Sequence, residues 1–252
     1  MITGHFYGCK FKKMCYNLKS RFLGVEEMKR RGNIYKYALI GLTAVLITVA
    51  ALATGCEVYR VLPLHVSLIV MYLQTKASRF SFLLGGCNAA YYAFVYVVTE
   101  LYGMALYSIL LACPIQIVTY IRWKRHTFAN TTRLDRLTAT QRIVSILAFA
   151  GVWTGLYFLL GAFGSEYLIL DNSVTLLSAA ANVTSLLCLI EFPYLQCVSY
   201  VVNIALYTQM IQKDPRQWTF LIYAIYALIC CAVSAVYMQK QYNWQKKEMQ
   251  NN

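Results

Sequence analysis

The feature that most constrains this chain is a succession of eight apolar runs, at 37–55, 58–75, 80–99, 101–121, 142–162, 173–190, 194–212 and 217–238. Each approaches the roughly 17–25 residues that a helix needs to cross the hydrocarbon core. The runs are continuous and do not alternate, which predicts helices and excludes a membrane barrel. Composition agrees: 59% of the 252 residues are hydrophobic and 13% are charged. A soluble domain is nearer 45–50% apolar and about 25% charged, and one of this size has too little interior to hide the surplus. An ordinary soluble enzyme is thereby excluded, and so is a disordered chain. The fold class predicted is an all-α membrane protein with eight transmembrane helices.

The net charge of +13 is explained by position. Nine bases lie between Lys10 and Lys36, six lie between Arg122 and Arg142, and the remainder fall in short gaps between apolar runs. With the N-terminus inside, 20 bases fall on the inner side and only Arg60, Lys213 and Arg216 fall outside. This asymmetry predicts N-in and C-in topology in a cell membrane, hence an even number of spans. The basic segments carry no aromatic binding motif, so nucleic acid is not an expected partner; membrane lipid is.

Other signals are weaker. Cys87, Cys113, Cys188, Cys197, Cys230 and Cys231 fall inside or beside apolar runs, where a thiol acts as a small hydrophobe. His5, Cys9 and Cys15 match no standard zinc spacing, so no metal is expected. Leu52 to Cys56 faintly resembles a lipoprotein cleavage site, but 36 residues precede this run, which is too long for a signal peptide. It reads as a retained helix. No Gly-Lys-Ser/Thr phosphate loop is present, and no Asp/Glu/His relay crosses the spans. No cofactor is expected.

An internal repeat then organises the runs. Asn88-Ala89-Ala90-Tyr91-Tyr92 and Asn203-Ile204-Ala205-Leu206-Tyr207 both read Asn-x-Ala-x-Tyr, 115 residues apart. They sit at matching places in two sets of three helices. Three helices end on the side opposite their start, and one inverting helix restores it. The arrangement predicted is an extra N-terminal helix plus a 3+1+3 core of two parallel triple-helix repeats. In residues, this gives a basic segment 1–36, a peripheral helix 37–55, a first bundle 58–121, a basic loop 122–141, an inverting helix 142–162, a second bundle 173–238 and a tail 239–252.

Polar side chains inside spans are costly and tend to face a bundle interior or watery cavity. Gln196, Tyr200, Asn203 and Tyr207 are spaced by 4, 3 and 4 residues, so they share one face of a helix. Asn88 and Tyr92 share another face, with Tyr91 beside them, and Gln116 lies in register with Ser108 and Tyr120. Ser108, Ser178 and Ser185 read better as interhelical glue. The substrate-binding candidates are Asn88, Tyr91, Tyr92, Gln116, Gln196, Tyr200, Asn203 and Tyr207. Aromatic faces with uncharged amides suit a flat heterocycle that carries hydroxyls. Glu191, beside Pro193, is read as a hydrated carboxylate at the inner interface. No catalytic constellation lies at midplane depth, so the chain is not expected to be an enzyme.

Two stretches carry a family resemblance. One runs from Leu83 to His126 with Asn88, Tyr91-Tyr92, Leu101-Tyr102-Gly103, Pro114-Ile115-Gln116 and Arg122-Trp123-Lys124. The other runs from Glu191 through Asn203, Leu206-Tyr207, Tyr223 and Tyr226 to Lys240. Together, over about 58–245, they resemble the PnuC family of vitamin transporters. The resemblance implies a SWEET-like 3+1+3 fold that carries nicotinamide riboside by facilitated diffusion through alternating access, while relatives carry thiamine or riboflavin. It also implies a cytoplasmic kinase that traps the cargo. Nicotinamide riboside members resemble Trp-x-x-Trp before the second-half Asn or Asp; here Gln196 and Ser199 stand in those places, with Tyr194 and Tyr200 as the nearby aromatics. The expected function is therefore a carrier of a vitamin precursor, nicotinamide riboside first, with a thiamine, riboflavin or other nucleoside carrier of the same fold as the alternative. A non-transporting membrane sensor and an intramembrane enzyme are the weaker readings. Assembly into a homo-oligomer is compatible with such spans.

Overall fold

The computed structural model describes residues 37–98, 105, 107–128, 131–162 and 167–251. The basic segment 1–36 with His5, Cys9 and Cys15, and the stretch holding Glu100 and Leu101-Tyr102-Gly103, lie outside the described residues. The chain divides into two compact units, residues 1–42 and 43–252. Of the first, only 37–42, the opening turns of helix α1, are described.

Eight α-helices are present among the described residues. Helix α1 (Tyr37–Thr54) ends where the sequence supplies Gly55 at φ +65°, and the Cys56 N–H closes back on the Ala51 carbonyl at 2.8 Å. That is the left-handed stop that glycine adopts without steric penalty. Helix α2 (Val58–Gln74) contains Pro63, and α3 (Phe80–Val98) follows it after a short turn. A π turn at Ser108–Ala112 leads into α4 (Cys113–Arg125). The predicted fourth run stopped at 121, but α4 carries its last basic turn, including Arg122 and Arg125, as helix.

Within the stretch read as a basic loop at 122–141 lie two short antiparallel strands, β1 (Thr127–Phe128) and β2 (Thr131–Thr132), paired as a hairpin. Helix α5 (Ala139–Ala162) begins with a capping box: Thr138 Oγ1 accepts from the Gln141 N–H at 3.3 Å, and Gln141 Oε1 accepts from the Thr138 N–H at 2.9 Å. Helix α6 spans Leu168–Leu186, and α7 spans Phe192–Ile211 with Pro193 in its first turn. After a 3-10 turn at Pro215–Gln217, α8 runs over Trp218–Asn251, thirteen residues past the predicted end at 238.

Among the described residues, three helices are long and apolar enough to cross a membrane: α1, α5 within Ala139–Phe158, and α8 with its preceding turn; α2 and Phe80–Val95 of α3 are shorter apolar helices. Helix α5 packs mainly against α6, with the Trp153 indole donating to Ser173 Oγ at 3.0 Å and the Asn172 amide donating to the Trp153 carbonyl at 2.8 Å. The other helices pack as α2 on α3, α3 on α4, α6 on α7 and α7 on α8, with α2 also against α8 and α4 against α6.

Two kinds of hydrogen bond recur at a constant spacing. The Asn88 amide donates to Ser67 Oγ at 2.8 Å between α3 and α2, and Ser199 and Ser178 share a bond of 3.1 Å between α7 and α6. Both partners are displaced by 111 residues. Ser234 Oγ donates to the Gln74 carbonyl at 3.0 Å, and the Trp123 indole donates to the Ser185 carbonyl at 2.7 Å, again displaced by 111 residues. The Asn-x-Ala-x-Tyr match at 115 is thus one helical turn out of step with these bonds. A four-residue shift keeps a side chain near the same helix face, which is why the sequence conceals it.

The end of the bundle that carries Arg122–Arg142 is clasped tightly. The Asp135 N–H bonds to the Cys188 carbonyl and the Ile190 N–H to the Asp135 carbonyl, each at 3.0 Å. Glu191 accepts from Arg142 at 2.8 Å and from the Leu137 N–H at 3.3 Å, so it is an ion-pair partner at this end. The buried Gln245 of α8 accepts from the Leu134 N–H and donates to Thr131 Oγ1 and the Thr132 carbonyl. These three bonds are the physical reason that α8 continues past 238.

Candidate functional site

Between these helices lies a cavity of about 150 Å³. Its wall is drawn from six helices: Ser67, Val70, Met71 and Gln74 of α2; Phe82, Gly85, Asn88, Ala89 and Tyr92 of α3; Gln116 of α4; Asn182 of α6; Phe192, Gln196 and Tyr200 of α7; Tyr223 of α8. Among the described residues, no lining side chain is charged and none is an indole.

The local structure follows from residue size. A Cβ at Gly85 would collide with the Gln116 amide oxygen, so the missing side chain is what lets that amide lie across α3. At Gly86 a Cβ would meet the Ile117 side chain at 3.2 Å. The glycine pair lets α3 and α4 approach, as small residues do between membrane helices. Toward the basic end the cavity meets an aromatic group: Phe82 lies 4.7 Å from the Trp123 ring and 5.9 Å from Phe192, ring centre to ring centre. Cys188, Leu134, Ala181 and Met238 complete this buried cluster.

The amides are held in defined directions. Asn88 Nδ2 donates to the Pro63 carbonyl at 3.1 Å as well as to Ser67 Oγ, so both its hydrogens are engaged. Asn182 Nδ2 donates to the Tyr107 hydroxyl at 3.2 Å. Gln196 Oε1 accepts from the Cys231 thiol at 3.5 Å. The Tyr200 and Tyr223 hydroxyls are 3.2 Å apart with their rings edge to face, and the Tyr200 hydroxyl lies 3.6 Å from Met71 Sδ. Gln74 is 9% exposed and its Oε1 is buried with no hydrogen-bond partner among the described residues.

Of the eight residues singled out from the sequence, Asn88, Tyr92, Gln116, Gln196 and Tyr200 come together on this wall. Tyr91, Asn203 and Tyr207 do not. Tyr91 turns to Phe94, with ring centres 6.2 Å apart, because it stands one position round the helix from Tyr92. Asn203 is buried, and its amide donates to the Ser199 carbonyl of its own helix at 3.0 Å. Tyr207 packs on Phe220, 5.6 Å between ring centres. The one-turn shift of the repeat explains the last two: 111 residues on from Asn88 is Ser199, and on from Tyr92 is Asn203. Tyr194 is 47% exposed and stands off the cavity, whereas Tyr200 is on it. Sequence reading missed Ser67, Gln74, Phe82, Asn182, Phe192 and Tyr223. Asn182 lies four residues after Ser178 and three before Ser185, on one face of α6.

Residues 57–246 match the family described as Nicotinamide mononucleotide transporter. The chain belongs to that family. Its members are transporters, and the chain is a multi-pass membrane protein and not an enzyme. The fold agrees with a solved structure, that of the vitamin B3 transporter PnuC, at a TM-score of 0.70 and 17% identity; the match covers 84% of this chain and 93% of that one. No curated protein is a significant match to the chain.

Proposed function

We propose that the protein carries a vitamin precursor, nicotinamide riboside first, by facilitated diffusion through alternating access. The observation that carries this reading is the uncharged cavity walled by six helices, with amides and tyrosine hydroxyls from both halves of the chain. Its wall suits a nucleoside: hydroxyls meet amides, the heterocycle meets aromatic faces, and no cation waits for a phosphate. The family description and the vitamin B3 title of the structural neighbour support the cargo class. The two sets α2–α3–α4 and α6–α7–α8, with α5 outside them, support a 3+1+3 core, and so do the bonds repeated at 111 residues. Asn88, Tyr92, Gln116, Gln196 and Tyr200 are the proposed contacts. The basic end faces the cytoplasm on this reading, by the asymmetry of the bases.

Ligand pockets are usually roughly 300–1,000 Å³. At about 150 Å³ this cavity is smaller, so the cargo enters an arrangement wider than this one. The absence of indole from the wall keeps thiamine and riboflavin on the panel as the alternative cargo. The test is uptake of labelled nicotinamide riboside, thiamine, riboflavin and nicotinamide mononucleotide into proteoliposomes. Saturable flux of nicotinamide riboside without an ion gradient, with the mononucleotide excluded, is expected. Preference for thiamine or riboflavin overturns the cargo, and flux of none overturns the carrier.

A further inference from the structure

The polarity of the cavity wall is set by residues behind it. Asn88 spends both amide hydrogens on Pro63 and Ser67, so only Oδ1 is left to face the cavity, and it can only accept. Gln196 is held the other way. Its Oε1 accepts a hydrogen bond from the Cys231 thiol, which also touches the Cys197 thiol, and its Nε2, with two hydrogens, is left for the cavity. Cys231 is 0% exposed and is not part of the wall. It sits on α8 and reaches Gln196 on α7, so one helix of the second half fixes the amide of another.

We infer that Cys231 is a positioning residue that fixes the Gln196 amide with its N–H₂ toward the cavity, so that the site selects cargo presenting an acceptor, such as a carbonyl oxygen or ring nitrogen, to α7 and a hydroxyl or amino donor to Asn88 on α3. An amide is nearly symmetric in shape, so without the thiol it turns freely and offers oxygen as readily as nitrogen. A cargo acceptor facing that oxygen loses its bond and meets a repelling partner. The thiol therefore acts on recognition and leaves the helices in place. This rests on the carrier reading of the same cavity.

Two measurements test it. The first needs no cargo. In a Cys197→Ala background, which removes the other partner of the thiol, the S–H stretching band of Cys231, assigned by its loss on adding Cys231→Ala, moves to higher frequency on adding Gln196→Ala, because the carbonyl that weakened the S–H bond is gone; a band that stays put overturns the inference. The second is a cycle of variants in proteoliposomes with labelled nicotinamide riboside. Cys231→Ala raises KM about fivefold to tenfold, the worth of one hydrogen bond, with Vmax kept. Cys231→Ser retains the donor and keeps the parental KM. In a Gln196→Ala background, Cys231→Ala adds nothing further, because there is no amide left to position. Equal rises in both backgrounds, or a serine variant as poor as alanine, overturn the inference. A parental protein that carries no vitamin overturns the carrier reading instead, and the infrared band still decides whether the thiol holds the amide.

Discussion

Replacing Asn88 and Asn203 separately by alanine distinguishes the two registers of the repeat. The sequence treats them as equivalents; the hydrogen bonds do not. Asn88 joins α3 to α2 by two bonds, at 3.1 Å and 2.8 Å, and its remaining oxygen faces the cavity. Asn203 makes one bond, at 3.0 Å, to a carbonyl of its own helix. A neutral hydrogen bond contributes about 0.5–1.5 kcal/mol net, so Asn88→Ala costs about 2 kcal/mol of stability and Asn203→Ala about 1 kcal/mol. The acceptor lost from the cavity adds about 1 kcal/mol to the binding side, which is about fivefold in KM, and only for Asn88→Ala. The assay pairs thermal unfolding in detergent with initial rates of nicotinamide riboside uptake. Asn88→Ala unfolds earlier and has the higher KM. Asn203→Ala unfolds slightly earlier with an unchanged KM. If Asn203→Ala raises KM as far as Asn88→Ala does, the register of 111 residues is the wrong guide to the site.

Three more outcomes follow from the geometry. Gly85→Ala drives the Gln116 amide off α3, lowers production and raises KM, and adding Gln116→Ala relieves the crowding so that the double variant is produced at the parental level; production that stays low in the double variant refutes the contact. Burial pushes the Cys188 thiol up to about 11, outweighing the lowering effect of Arg122, and reactivity needs an accessible thiolate, so maleimide spares Cys188 at pH 8 in the folded protein and labels it only after unfolding; peptide mapping of labelled protein checks this. Gln245→Ala removes three bonds from a buried amide at the hairpin, so amide hydrogen exchange at 131–134 speeds up.

The sequence showed the architecture better than the site. Apolar runs separated by bases are read residue by residue, so the helices and their order were legible. Where helices run on, the cause lies in distant partners: α8 passes 238 because Gln245 meets a hairpin more than a hundred residues earlier. The site was half legible. Gln196 and Tyr200 share a helix face, and periodicity finds such pairs. Gln74, Asn182 and Tyr223 stand on three other helices, and no spacing within one run marks them as neighbours. The repeat misled by one turn because its structural partners differ in type. Asn88 answers to Ser199, and Trp123 to Ser234, so of the side chains in the matching bonds only Ser67 and Ser178 share a letter.

Helix α8 is a single rod that lines the cavity at Tyr223 and grips the hairpin at Gln245. At 1.5 Å per residue, these two points lie about 33 Å apart along its axis. An unbroken helix resists bending, so tilting either end tilts the other. Whatever pulls on the C-terminal turns is therefore felt where the cargo would sit, and the clasp and the cavity wall behave as opposite arms of one lever.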